Sequence, residues 1–206
     1  MLVETKIKTT LACIILGLTA YLSCTCASSE PHKDSFWNQS FLDIDGKKHV
    51  HASTSTITVV WIFILEDCPI SNAYSPEINR LVDHYQTKGI SFLLIHSNPS
   101  LNLKKAKKHR DDFQLTTPID LDQHHSWVHY AGVTITPQAV VFDREGQLKY
   151  RGRIDDRFPA FGKRRTRPTK TELRDALESV LNKKPITVWE SKAVGCYIPA
   201  LLKKSA

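Results

Sequence analysis

The 206-residue sequence predicts an α/β fold: a central mixed β-sheet flanked by helices, with an N-terminal β-hairpin and an extended C-terminal tail. Two observations carry that prediction. Ile57–Leu65 and Ile90–His96 are nearly continuous apolar, β-branched runs separated by an amphipathic segment. This is the pattern of parallel strands, covered on both faces, that are joined by a crossover helix. Further on, Gln138–Phe142 and Leu148–Arg153 face each other across Asp143-Arg-Glu-Gly146, as a hairpin does.

Taken in order, Phe41 to Val50 forms the first hairpin, turning at Asp45-Gly46, because Asp-Gly favours a tight turn of positive φ. Ile57–Leu65 is the first central strand. A helix from about Ile70 to Thr87 lines up Ile70, Tyr74, Ile78, Leu81 and Tyr85 on one side, and Gly89 closes it. Ile90–His96 is the second central strand. A second helix, Asn102 to Phe113, turns its basic run Lys104–Arg110 to water and Leu103, Ala106 and Phe113 inward. A short helical turn from His124 to Ala131 precedes the second hairpin. The last helix, Lys170 to Leu181, carries the stripe Leu173, Ala176, Leu177 and Val180. Pro185 to Ala206 has no strong period and is the tail.

The balance of 41% apolar and 24% charged residues is that of a globular domain. The formal charge is +7, concentrated in Lys104–Arg110 and in the loop run Lys163-Arg-Arg-Thr-Arg167. Neither run interleaves aromatic residues on which bases could stack, so nucleic acid is not expected as a partner. The loop run is the better candidate for a protein contact. Arg151, Arg153, Asp155 and Asp156 read as ion pairs that anchor this loop. Trp37, Trp61, Trp127 and Trp189 read as core or rim packing.

The first residues predict export. Lys6 and Lys8 precede an uncharged stretch, Leu11 to Leu22, followed by small residues at Ser23, Thr25, Ala27 and Ser28. A charged region, a short apolar region and a small-residue cleavage region make a secretory signal peptide, 1–27. The apolar stretch is short for a membrane span. Cleavage after Ala27 removes Cys13, Cys24 and Cys26 and leaves Cys68 and Cys196. Lipid attachment at Cys24 is disfavoured by the aromatic residue of Tyr21-Leu22-Ser23. Membrane contact is expected only from an uncleaved or lipidated leader; the expected location is otherwise periplasmic or extracellular, where disulfides persist.

Cys68 stands between the first central strand and the first helix, followed by Pro69, Ile70 and Ser71. A sulfur at a helix N-terminus is drawn toward its thiolate form, the species that attacks disulfides and peroxides. Glu66 and Asp67 oppose that by repulsion. Ser71 occupies the place of a second cysteine in a C-x-x-C motif; it donates a hydrogen bond but resolves no mixed disulfide. Cys196 lies in Ala193-Val-Gly-Cys-Tyr-Ile198, where Gly195 permits a close backbone approach. Two readings stay open for the cysteines: a redox-active pair in which the tail folds back, and a structural disulfide. A third possibility uses the thiols and His96, or His125 and His129, as soft ligands for Cu(I). With no phosphate-binding glycine loop and no C-x-x-C-H, no cofactor is expected.

The order of a parallel β-α-β, a β-hairpin and a closing helix is that of a thioredoxin fold. Asp67–Ser71 after an apolar strand, Val133–Pro137 before the next strand and Pro76 inside the helix resemble the defining features of thioredoxin-like redoxins. The longer stretches Cys68–Leu81, Arg151–Arg157 and Ala193–Pro199 resemble exported bacterial members of the AhpC/TSA-type redoxin superfamily. The similarity runs from about Trp37 to Pro199. It implies a redoxin domain at 28–184 and a tail, 185–206, that carries Cys196. It also implies that Cys68 is the nucleophile and that Pro137 is cis and packs opposite it. Thr136, with Pro69 and Ser71, would then meet the substrate, an extended segment beside the sulfur.

One departure bears on activity. A peroxiredoxin has a proline seven residues and a hydroxyl residue three residues before its cysteine; this chain has Trp61 and Leu65. The expected function is therefore an exported thiol–disulfide oxidoreductase, with Cys68 attacking and Cys196 as the candidate resolving thiol. Its expected partners are protein thiols or disulfides and a redox partner protein. The alternatives are a copper metallochaperone and a non-catalytic binding module, with peroxidase activity less expected.

Overall fold

The computed structural model describes residues 40–51 and 55–201. The leader with Cys13, Cys24 and Cys26, its cleavage site, and Trp37 lie outside the described residues. A first hairpin pairs β1 (Ser40–Leu42) with β2 (Lys48–Val50). Asp43 holds its turn, the carboxylate accepting from the Asp45 and Lys47 amides at 2.9 Å. The remaining elements are β3 (Thr58–Ile64), α1 (Pro69–Tyr85), β4 (Ile90–His96), α2 (Leu103–Asp112), β5 (Ile119–Leu121), α3 (Ser126–Ala131), β6 (Ile135–Thr136), β7 (Gln138–Asp143), β8 (Leu148–Gly152), α4 (Glu172–Leu181) and β9 (Cys196–Tyr197).

Five strands form the central sheet in the order β5-β4-β3-β7-β8. β3 pairs in parallel with β4 from Thr58↔Ile90 to Ile64↔His96, and antiparallel with β7. The sheet is mixed, as the sequence predicts. All seven residues of β3 are buried, and the alternation of side chains across a strand explains why. Val60, Ile62 and Ile64 pack with Ile70, Tyr74, Ile78 and Leu81 of α1 and with Leu173 and Leu177 of α4. Val59, Trp61 and Phe63 pack on the other side with Val128 and Ala131 of α3 and with Phe142. Full burial of each large apolar side chain stabilises the fold by roughly 1.5–3 kcal/mol.

Several details differ from the expectation. The first helix ends at Tyr85 and tightens into a 3-10 turn, Gln86–Lys88, before Gly89 reverses the chain at φ 82°. Leu103 is 48% exposed rather than inward. It is the first residue after the cap Asn102, whose side chain accepts from the Lys105 amide, and so lies at the tip of α2. His109, inside the basic run, takes the buried position instead. Trp61 and Trp127 do pack in the apolar layer, but Trp189 is 58% exposed.

RGRIDDR is a clamp for the basic loop. Asp156 accepts from the Thr169 and Lys170 amides and the Thr169 hydroxyl and pairs with Arg165 at 3.3 Å. Asp155 accepts from Tyr74 Oη at 2.5 Å and from the Arg157 amide. Arg153 pairs with Glu172, and Arg151 with Glu190. The tail is extended, as expected, but it is not loose. Arg151 and Glu190 form a parallel bridge, and β9 then pairs antiparallel with β6.

Candidate functional site

Cys68 is the N-cap of α1, with Pro69 in the first turn. Proline fits there because its missing N–H would have had no helical partner. The cap role normally falls to an oxygen; here sulfur takes it, accepting from the Ser71 amide at 3.4 Å. Ser71 Oγ is buried and has no other hydrogen-bond partner among the described residues, which leaves it to the sulfur. Cys68 has no exposed surface.

The cover is the chain's own tail. Thr136 pairs with Cys196 and Ile135 with Tyr197, and the Ile198 amide donates to the Thr134 carbonyl at 3.0 Å. Gly195 is required for this approach. A Cβ there would sit 1.9 Å from the Thr136 carbonyl oxygen and 3.2 Å from Pro137. The Thr136–Pro137 bond is cis. The Thr136 carbonyl also accepts from Cys68 Sγ at 3.4 Å when the sulfur is protonated. The tail thus occupies the edge of β6, where the resemblance places an extended substrate segment.

Both sulfurs are tuned by this contact. Burial pushes the Cys68 thiol up, but hydrogen bonds from the Cys196 side chain, from Ser71 and from the Cys196 backbone outweigh it and hold Cys68 below its ordinary value. For Cys196, burial, the hydrogen bond to Cys68 and the nearby Cys68 and Asp67 charges act together and push it up to about 12. The contact thus separates the two sulfurs: Cys68 is the readier of the pair to lose its proton. Neither cysteine is in a disulfide.

Of the residues expected to meet substrate, Ser71, Thr136 and Pro137 are buried, the last two against the tail, and Pro69 is exposed. A polar network that the sequence reading missed sets the loop before Cys68. The Asn72 amide donates to the Cys68 carbonyl at 3.0 Å, and its side chain donates to the Glu66 carbonyl at 3.0 Å. His109 Nε2 donates to Asn72 Oδ1 at 2.8 Å, and Asn98 donates to Glu66 Oε1 at 2.6 Å. The available signals were Asn72 one turn beyond the cysteine and a histidine in a lysine-rich helix. His96 packs edge-on against His109, ring centroids 4.9 Å apart.

The histidine sets considered for a metal do not converge. His125 Nε2 donates to the Ser97 carbonyl at 3.1 Å. Its ring is 6.2 Å from that of His129. Among the described residues, no three His, Cys, Asp or Glu side chains stand where they could share an ion.

A family model described as the AhpC/TSA family matches residues 35–151. The match spans Cys68 and Pro137 and ends before α4 and Cys196. No curated protein matches the chain. Among solved structures, an uncharacterized conserved protein from Geobacillus kaustophilus superposes with a TM-score of 0.67 at 25% identity, covering 82% of this chain and 92% of its own. A hypothetical protein from Sinorhizobium meliloti does so with a TM-score of 0.67 at 25% identity, covering 78% and 91%. A secreted disulfide oxidoreductase of Mycobacterium tuberculosis shares the fold, with a TM-score of 0.50 at 15% identity over 73% of this chain and 98% of that one.

Proposed function

The chain belongs to the AhpC/TSA family, and on that premise we propose that it is an exported thiol–disulfide oxidoreductase whose redox pair is Cys68 and Cys196. The observation that carries this reading is the pairing of β9 with β6, which sets Cys196 on the buried, helix-capping sulfur of Cys68. The two thiols lie far apart in the chain, and a dedicated strand with an obligatory glycine holds them together. Oxidation of the pair joins the two sulfurs and gives up two electrons to an acceptor disulfide; reduction reverses it. A depressed thiol pKa stabilises the reduced form, which makes the disulfide easier to reduce and a better oxidant.

The substrates are protein thiols or disulfides, and the signal peptide read at 1–27 places them outside the cytoplasm. Among the described residues no helix is long and apolar enough to cross a membrane. Peroxidase activity is not favoured, since Trp61 and Leu65 are buried in the two apolar layers and offer no hydroxyl. A copper carrier would have to rely on the two thiols without a histidine beside them.

The test is turnover of a dithiol or disulfide protein by the wild type and by Cys68→Ser and Cys196→Ser. Loss of activity in both variants is expected. Full activity in Cys196→Ser would overturn the two-thiol pair, and high-affinity Cu(I) binding that requires both sulfurs would favour the metallochaperone.

A further inference from the structure

The two sulfurs differ in access. Cys68 is sealed by β9, by Thr136 and by the first turn of α1, and it shows no surface. Cys196 is only partly buried. It lines a groove of about 640 Å³ with Phe161, Val194, Tyr197 and Lys192. Phe161 and Tyr197 are 74% and 80% exposed on its walls. The edge of β6, the other route to Cys68, is filled by the tail. Resting on the oxidoreductase reading, we infer that Cys196 is the sulfur that exchanges with substrate, and that Cys68 is the thiolate that leaves it or returns to it from within. The family-matched part of the chain therefore holds the buried partner, and the tail outside it holds the substrate-facing one.

The exchange balances without a further reactant when the substrate is a dithiol. A substrate thiolate enters the groove and attacks Cys196 Sγ of the Cys68–Cys196 disulfide. The S–S bond breaks, Cys68 takes the electron pair, and the Ser71 amide and hydroxyl receive its charge. A mixed disulfide now joins Cys196 to the substrate. The second substrate thiolate attacks the substrate sulfur of that bond, expelling Cys196, which takes up a proton and hydrogen-bonds to the Cys68 thiolate. The substrate leaves as a disulfide and one proton is released. In the reverse direction, Cys68 attacks Cys196 from within. Leaving-group order agrees: a sulfur whose anion is stabilised departs faster, and Cys68 keeps the Ser71 amide at the helix cap as a donor when Cys196 is in the mixed disulfide.

The experiment starts from the oxidised full chain and a peptide with one cysteine, which can form a mixed disulfide but cannot complete the second step. The reaction is quenched in acid within seconds, free thiols are alkylated, and peptide mapping separates Cys68 and Cys196 from the leader cysteines. The peptide is expected on Cys196, with Cys68 alkylated, in roughly tenfold excess over the opposite arrangement, because the accessible sulfur whose departure partner has the lower pKa is favoured. The peptide on Cys68, with Cys196 alkylated, would overturn the inference and leave the oxidoreductase reading intact. Failure of a Cys68–Cys196 disulfide to form at all would overturn both.

Discussion

Cys68 caps a helix with sulfur, and its chemistry depends on the donors around it more than on the helix. The largest favourable contribution is the Cys196 side chain, followed by Ser71. Cys196→Ala therefore raises the Cys68 pKa toward the ordinary cysteine value near 8.5, and Ser71→Ala raises it less. The pH dependence of alkylation rate checks this: the midpoint moves up in both variants. Repulsion from Glu66 and Asp67, expected from their adjacency, is not among the largest influences on Cys68. Glu66 is held by Asn98, and Asp67 acts on Cys196 instead. Adjacency in sequence does not tell which way a carboxylate points.

At the scale of elements, the strands and helices were legible because their signals are local. The run Ile57–Leu65, the stripe of α1, the cap Asn102 and the turn at Asp45-Gly46 each announce themselves within a few residues. β6 and β9 were not legible, because two residues carry no period and their pairing depends on chain far away. Only Gly195 hinted at it. Gly195→Ala places a methyl group against the Thr136 carbonyl and is predicted to lift β9 from β6 while leaving the five-stranded sheet intact. On treatment with oxidised glutathione, the variant should accumulate glutathionylated chains where the wild type forms the internal disulfide; intact-mass spectrometry distinguishes the two.

His96 closes β4, and neither of its ring nitrogens has a hydrogen-bond partner among the described residues. Burial, with a smaller contribution from His109, pushes its pKa down to about 3. The unfolded chain titrates near 6.5 and so binds the extra proton between those values. Stability is full above pH about 6.5 and falls as pH drops, by up to about 1.4 kcal/mol per unit for this group. His51 and His109, also held below the ordinary value by burial, add to the slope; unfolding free energies from pH 7 to pH 4.5 should fall, and His96→Leu should make that fall less steep.

For the whole molecule, the fold followed from the sequence, and so did the place of Cys68 at the start of a helix, while the relation between the two thiols required the tail to be placed. The sequence offers a copper site only as an alternative to the redox pair, with His96 ending a central strand and His125 and His129 four residues apart. In space His125 is turned to the Ser97 carbonyl and His96 packs against His109, so the three do not converge. On the proposed reading the molecule is built around a reversible Cys68–Cys196 bond, with the tail as a working part rather than an appendage. The most direct measurement is the reduction potential of that bond, by equilibration against glutathione with mass spectrometry identifying the linked cysteines. A reversible Cys68–Cys196 disulfide with a potential well above the roughly −300 mV of structural bonds is predicted. A bond that forms but resists the glutathione couple, or two thiols that never join, would contradict it.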